Sequence, residues 1–125
     1  MYVAGNDGML HAFRTEADAS DPVNKPAGQE VYAYMPAAVL RQKNDGSIGN
    51  LADDEYGVVD GVSGKQKVPH QSYNDGRITT QNVYFSDNKW HTVLVGTTGR
   101  GPAKAIYALD ITDPTVLMDP TKANN

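Results

Sequence analysis

The stretch that decides the fold is residues 2–13, which read YVAGNDGMLHAF. Residues 2–5 and 9–14 are rich in aromatic, apolar and small side chains, and the triplet Asn6-Asp7-Gly8 separates them. An Asp-Gly pair supplies the positive φ angles that a tight hairpin turn requires, and runs of this kind on either side are typical of strands. The stretch therefore predicts a β-hairpin.

The same pattern continues along the chain. Short aromatic and β-branched runs bounded by turn residues predict five more strands, at residues 30–35, 67–73, 78–86, 90–96 and 104–111. The polar connection from Ser86 to Lys89 predicts that the strands on either side of it pair as an antiparallel hairpin. We therefore expect an all-β chain.

Other turn and helix signals are weaker. Asn-Asp-Gly recurs at residues 44–46 and 74–76, and the latter triplet predicts a hairpin turn because it lies between predicted strands. Residues 37–42, directly after Pro36, predict a helix of one or two turns. Residues 44–64 are rich in Gly and Asp and predict a long loop.

An internal echo indicates the architecture. The order strand, glycine turn, strand occurs in residues 2–13 and again in residues 94–109, with Ala12 and Ala108 at the same place in the second strand. A small residue there is expected where a strand packs closely against a neighbouring sheet. Because a propeller blade has about four strands, the chain is predicted to cover about two blades of an incomplete β-propeller. A β-sandwich that uses all seven predicted strands is the alternative.

Composition excludes several classes of protein. The chain has 125 residues and a net charge of −4, so it offers no broad basic face for nucleic acid. Its apolar runs are far shorter than the roughly 20 residues that span a bilayer. It contains no cysteine, which excludes a disulfide, a Cys-ligated zinc and a thiol nucleophile.

The chain is expected to be a piece of a larger protein. Its first residues already have the pattern of a strand, so residues 1–125 are interpreted as part of a propeller domain. Two blades cannot close a ring. We therefore expect unpaired blade edges and self-association through them.

Several blocks of sequence carry a family resemblance. Besides residues 2–13, they are EVYAYMPAAVL at 30–40, NVYF at 82–85, WHTVLVG at 90–96 and IYALDITDP at 106–114. In this order they resemble the propeller of the PilC/PilY family of type IV pilus proteins, and the resemblance spans nearly the whole chain. The strand pattern is also similar to the repeat of quinoprotein dehydrogenase propellers, which is a likeness of fold and not of chemistry.

The resemblance implies a function, partners and a location. It implies a non-catalytic part of a pilus assembly factor and tip-associated adhesin that supports pilus biogenesis, twitching motility and surface adhesion. The implied partners are minor pilins, the pilus tip complex and a host or surface ligand. The implied location is the periplasm, outer membrane and cell surface of a Gram-negative bacterium. The family's calcium loop has no match here, so calcium is expected only elsewhere in the parent protein.

The rival hypothesis is a quinoprotein-like or sugar-binding propeller. Quinone dehydrogenases need a stacking Trp and convergent calcium ligands, and this chain offers only Trp90. Aromatic residues that alternate with smaller ones are predicted to form the core between blades and not a sugar-stacking platform; they are Phe13, Tyr34, Tyr84, Trp90 and Tyr107.

No residue is predicted to be catalytic, cofactor-binding or metal-binding. His11, His70 and His91 are scattered and have no second His or Cys at ligand spacing, which favours structural roles. Asp45 and residues 53–55 lack the alternating spacing of a calcium loop and predict a solvated acidic loop.

Two loops complete the predictions. The glycine-rich residues 96–101 lack the Lys-Ser/Thr of a phosphate-binding loop and are predicted to join two strands. Arg100 and Lys104 beside that turn are predicted to face solvent. Because binding generally occurs on loops held by a rigid scaffold, residues 45–65 are the candidate for partner contact.

Overall fold

The computed structural model describes residues 1–40 and 48–119. In this part the order of elements is β1 (Tyr2–Ala4), β2 (Leu10–Phe13), β3 (Glu30–Tyr34), α1 (Ala37–Leu40), a 3₁₀-helix (Ile48–Ala52), β4 (Ile78–Tyr84), β5 (Trp90–Thr97), β6 (Ile106–Asp110) and α2 (Pro114–Met118). The strands form two three-stranded antiparallel sheets, β1-β2-β3 and β4-β5-β6. The prediction of an all-β chain is confirmed.

The hairpins predicted at residues 2–13 and 78–96 are present. In the first turn Gly8 has a φ of 91°, and the Gly5 N–H donates to the Met9 carbonyl over 2.8 Å. In the second, Asn88 adopts a φ of 62° and the Phe85 N–H donates to the Lys89 carbonyl. Gly and Asn tolerate this left-handed region better than other residues, which explains why these turns were readable from sequence.

The two sheets pack face to face through one apolar cluster. Leu10 of β2 is buried with Leu94 of β5 and Tyr107 of β6. Partly buried residues of both sheets surround these three and include Tyr34, whose ring centroid lies 5.6 Å from that of Tyr107. This is the arrangement expected of neighbouring blades, whose facing surfaces form the core between them.

A second apolar cluster lies beside the sheets. It contains Val39 of α1, Tyr73 and Ala103, all buried, with Leu51 of the 3₁₀-helix against them. The loop after β5 lies directly on the segment before β4. A Cβ added at Gly101 would be only 1.8 Å from the Ser72 carbonyl oxygen, so this contact requires glycine.

The predicted strand at residues 67–73 is wrong. Within it Val68 makes an isolated bridge with Tyr56, and Gln66 just before it makes another with Val59. Pro69 has no N–H for a ladder, and Tyr73 is buried in the second apolar cluster. Tyr73, the last residue of the predicted strand, is buried by this nonlocal core contact and not by strand pairing.

The turn predicted at residues 74–76 is also wrong. Asn74 is fully buried, and the Asp75 carboxylate accepts a hydrogen bond from the Arg100 N–H over 2.8 Å. The triplet therefore supports the loop after β5 and does not form the turn of a hairpin. The triplet at residues 44–46 lies outside the described residues.

The helix and loop predictions were partly correct. The predicted helix at residues 37–42 is present as α1, and residues 41 and 42 lie outside the described residues. The predicted loop at residues 44–64 contains the 3₁₀-helix, and its residues 44–47 are likewise outside them. The prediction missed α2, although Asp113 caps its first turn and Pro114 follows at a favoured position.

The echo between Ala12 and Ala108 does not extend to burial. Ala12 is buried on the face that packs against the other sheet, whereas Ala108 lies on the opposite face of its sheet and is exposed. Tyr107 and Leu109 carry the buried face of β6 instead. Of the helices in residues 1–40 and 48–119, none has the length and hydrophobicity needed to cross a bilayer.

A substitution at Gly96 tests how closely the Tyr107 ring packs on β5. Changing Gly96 to alanine is expected to lower the free energy of unfolding by about 1–3 kcal/mol, because the added Cβ would lie 2.3 Å from the Tyr107 ring. Urea denaturation measures this change. Gly61→Ala is the matched control, since its Cβ would meet no atom within 4 Å. Equal losses for the two variants would contradict the packing described here.

Candidate functional site

The end of the β4–β5 hairpin exposes three aromatic side chains. We call Tyr84, Phe85 and Trp90 the aromatic hairpin end; their side chains are 53%, 43% and 67% exposed. Tyr84 and Trp90 are cross-strand partners on one face, and their ring centroids lie 5.4 Å apart. Such a cluster of large exposed rings is typical of a surface that contacts another molecule.

The predicted aromatic core is therefore only partly correct. Tyr107 is buried and Tyr34 packs against it, as predicted, and Phe13 is half-buried. The prediction is wrong for Tyr84 and Trp90. They lie on the same face as Leu94 but farther along the hairpin, past the cluster that the two sheets share.

The loop predicted to contact a partner is also exposed. Of residues 45–65, those from 48 onward are described, and Val62 at the tip is 98% exposed. The Asp60 carboxylate orders the tip by accepting bonds from the Val62 and Ser63 N–H groups. An ion pair between Glu55 and Lys67 holds its base.

The middle strand of the first sheet carries a histidine bonded at both ring nitrogens. His11 Nδ1 lies 2.5 Å from Glu30 Oε1, and His11 Nε2 lies 2.9 Å from Asp7 Oδ2. Asp7 also accepts from the Met9 N–H in the hairpin turn, and the His11 ring stacks on Phe13. We call His11, Asp7 and Glu30 the β2 clasp, because they join the turn to β3 across β2.

The second sheet repeats this arrangement. His91 Nδ1 lies 2.5 Å from Asp110 Oδ2, and His91 Nε2 lies 3.0 Å from Asp87 Oδ2. Asp87 accepts from the Lys89 N–H in its turn, and the His91 ring packs on Phe85 at 4.9 Å. His91, Asp87 and Asp110 form the β5 clasp.

The carboxylates raise the pKa of both histidines above the ordinary value of 6.5. For His11 the hydrogen bond to Glu30 is the largest cause, and the charge of Asp7 adds to it. For His91 the hydrogen bond to Asp87 comes first and that to Asp110 second. Both imidazoles are therefore stabilised in the protonated form.

Sequence reasoning predicted structural roles for these histidines but missed the clasps. In both clasps the aspartate precedes the histidine by 4 residues and the other acid follows it by 19. Local spacing reveals the first acid. The second acid becomes a neighbour only through strand pairing, so its role was not visible in the sequence.

His70 and the glycine-rich loop at residues 96–101 were also singled out in the sequence. His70 lies between the Tyr56 hydroxyl and the Asn6 amide. The loop at residues 96–101 joins β5 to β6, as predicted, and Lys104 is exposed and donates to the Gly99 carbonyl.

Metal coordination has no support in the described part of the chain. No group of three or more His, Cys, Asp or Glu side chains there has an arrangement that could hold a metal ion. Within each clasp the imidazole lies between its two carboxylates, so the three groups do not converge on one centre.

Trp90 is the chain's single tryptophan and reports directly on the aromatic hairpin end. Because its side chain is 67% exposed, we expect its fluorescence emission to lie close to that of the urea-unfolded chain. Acrylamide should quench the folded and unfolded chains to similar extents. A blue-shifted emission that resists quenching would place Trp90 in a core, as the sequence had indicated.

Comparisons with known proteins agree with the two-sheet architecture. Residues 1–122 match the family model of the PilY1 beta-propeller domain. The Type IV pilus biogenesis factor PilY1 homolog of Xylella fastidiosa is 37% identical over 127 residues, covering 99% of this chain and 8% of that protein. Type IV pilus biogenesis factor PilY1 of Pseudomonas aeruginosa PAO1 is 34% identical over 114 residues, covering 91% and 8%. No solved structure matched the chain.

The chain thus spans about 8% of the length of these relatives. The family match covers both sheets and α2, which favours neighbouring propeller blades over the alternative of a closed sandwich. The chain belongs to the PilY1 β-propeller domain family.

Proposed function

We propose that this chain is a non-catalytic part of a type IV pilus biogenesis factor and serves as a scaffold for protein contacts during pilus assembly. The observation that carries the proposal is the family match over residues 1–122, together with relatives whose names give that role. By the same reasoning we place the parent protein in the cell envelope or at the surface of a Gram-negative bacterium.

The surface features support a role in binding. Two rigid sheets present the aromatic hairpin end at one hairpin turn and the loop tip around Val62 elsewhere. Large aromatic residues dominate the energy of protein interfaces, and loops on a rigid scaffold are the usual place for contacts. We propose a minor pilin or another pilus tip component as the partner. Support of surface adhesion and twitching motility would follow from that assembly.

Sugar binding is the second candidate function. The observation that favours it is Trp90, whose ring is largely exposed and free to stack on an apolar sugar face. Its neighbour Tyr84 is inclined by 61°, so the two rings do not form one flat platform. Binding of free oligosaccharide that quenches Trp90 fluorescence would favour this alternative.

An antibody raised against this chain tests the pilus role. Pili sheared from the source bacterium should carry a reactive band much larger than the 13.5 kDa chain. The band should disappear from the sheared fraction of a strain that lacks the major pilin. A signal confined to the soluble periplasm, and unchanged by loss of pilin, would overturn the proposal.

Matched substitutions in the parent protein then locate the contact. Trp90→Ala should reduce the amount of the protein in sheared pili without lowering its total cellular level, because Trp90 is exposed. Val62→Ala removes an exposed apolar side chain at the other candidate surface. Loss with Val62→Ala and not with Trp90→Ala would move the contact to the loop.

Self-association through blade edges is a further part of the proposal. Within residues 1–40 and 48–119, β4 pairs with β5 on one side only, and its seven residues include no charge, proline or glycine to block another strand. The backbone hydrogen bonds at Arg77 and Phe85 are made to β5. Because such bonds alternate along an antiparallel strand, the N–H and C=O groups of Thr80 point away from β5.

We therefore expect concentration-dependent dimers of the isolated chain on size-exclusion chromatography. Thr80→Lys should abolish them, because Thr80 is exposed and a lysine on an edge strand opposes pairing. Ala108→Lys on the edge strand β6 is the control and should leave the dimers intact. A wild-type monomer at all concentrations would count against the edge, as would equal effects of the two variants.

A further inference from the structure

The two clasps have a chemical requirement that is independent of the proposed function. A neutral imidazole carries one N–H, whereas each clasp places a carboxylate oxygen at both ring nitrogens. An ionised carboxylate only accepts hydrogen bonds. Both bonds of a clasp therefore form only when the histidine is the imidazolium ion.

We propose that the two clasps are a pH-sensitive fastening, which holds each hairpin turn to its sheet while the histidine is protonated and frees the turn when the proton is lost. The repeated geometry carries this inference. The 4-residue and 19-residue spacings, the aspartate bonded to its own turn and the phenylalanine against the imidazole occur in both sheets.

The distances indicate which bond each neutral histidine keeps. In both clasps the bond from Nδ1 to the acid on the neighbouring strand is 2.5 Å, and the bond from Nε2 to the turn aspartate is 2.9 or 3.0 Å. Shorter charge-assisted bonds are the stronger ones. By this criterion the remaining proton stays on Nδ1 and the aspartate in the turn is released, although at His91 the bond to Asp87 raises the pKa more than the bond to Asp110 does.

Release of the turn aspartate alters the local structure. Asp87 Oδ2 no longer has its histidine partner, while its Oδ1 still accepts from the Lys89 N–H. The neutral His91 ring also loses its cation–π attraction to Phe85, a member of the aromatic hairpin end. The β5 clasp therefore couples the order of that surface to pH.

The charged groups around each histidine set the direction of the effect. Those that act on the His11 pKa are Asp7 and Glu30. Both raise the pKa, so the stability that His11 gives the β2 clasp is complete below pH 6.5 while Asp7 and Glu30 are ionised, and it is lost as the pH rises through the raised value of the folded state.

The β5 clasp is complete only within a limited pH range. The acids that act on the His91 pKa are Asp87 and Asp110, and Lys89 lies near Asp87. His91 lowers the pKa of Asp87, and Thr112, followed by His91, lowers that of Asp110 below its ordinary 3.8. The β5 clasp therefore holds fully between pH 3.8 and 6.5, weakening in stronger acid and again as His91 deprotonates.

NMR titration of the imidazole nitrogens, with amide exchange measured on the same samples, tests the fastening. His11 and His91 should both titrate above pH 6.5 and become Nδ1–H tautomers. Amide protection in the two turns, corrected for the intrinsic effect of pH, should fall with the same midpoints. Titration at or below 6.5, or protection that does not change as the histidines deprotonate, would overturn the proposal.

Two isosteric variants serve as controls for each other. Asp110→Asn should lower the His91 midpoint and leave that of His11 unchanged, because it removes one charge from the β5 clasp only. Glu30→Gln should do the reverse. Each variant keeps an amide oxygen where the carboxylate was, so folding should be preserved. If both midpoints shifted together in each variant, the pKa values would depend on the overall charge and not on the individual clasps, and the proposal would be refuted.

Discussion

The contact between the inner faces of the two sheets is the interaction on which the rest of the structure depends. Leu10 and Leu94 bring the middle strands together, and Tyr107 completes the cluster. The Tyr107 ring fits because Gly96, its cross-strand partner, has no side chain, and its hydroxyl reaches the buried Asn74. One aromatic residue thereby joins the core between the sheets to the loop system beside it. Removal of buried apolar atoms from such a site is costly because close-packed neighbours relax only partly.

The sequence predicted what local chemistry determines. The turns at Gly8 and Asn88 could be predicted because few residue types adopt a positive φ readily. The strands on either side of each turn could then be predicted to pair as a hairpin. Prediction failed where a distant contact decides the conformation. Asn74-Asp75-Gly76 has the composition of a turn but is used to support the loop after β5, and the aromatic hairpin end has a core-like pattern but lies past the shared cluster. The second acid of each clasp was invisible for the same reason.

The fold and the proposed function rest on different parts of the molecule. Stability comes from the inner faces, whereas the aromatic hairpin end, the loop tip around Val62 and the edge of β4 are exposed and add little to the core. A propeller scaffold is compatible with many functions, so the binding surface has to be sought in such exposed features and not in the sheets themselves. The clasps connect the two parts, because they join the hairpin turns to the strands and one of them touches Phe85.

The most direct measurement of the central claim is a nuclear Overhauser spectrum of the isolated chain. We expect cross-peaks between the rings of Tyr34 and Tyr107, whose centroids are 5.6 Å apart, and between the methyl groups of Leu10 and Leu94. Cross-peaks within one sheet, such as those between Leu94 and Leu109, provide the internal control. Intra-sheet peaks without any between the sheets would contradict the face-to-face packing.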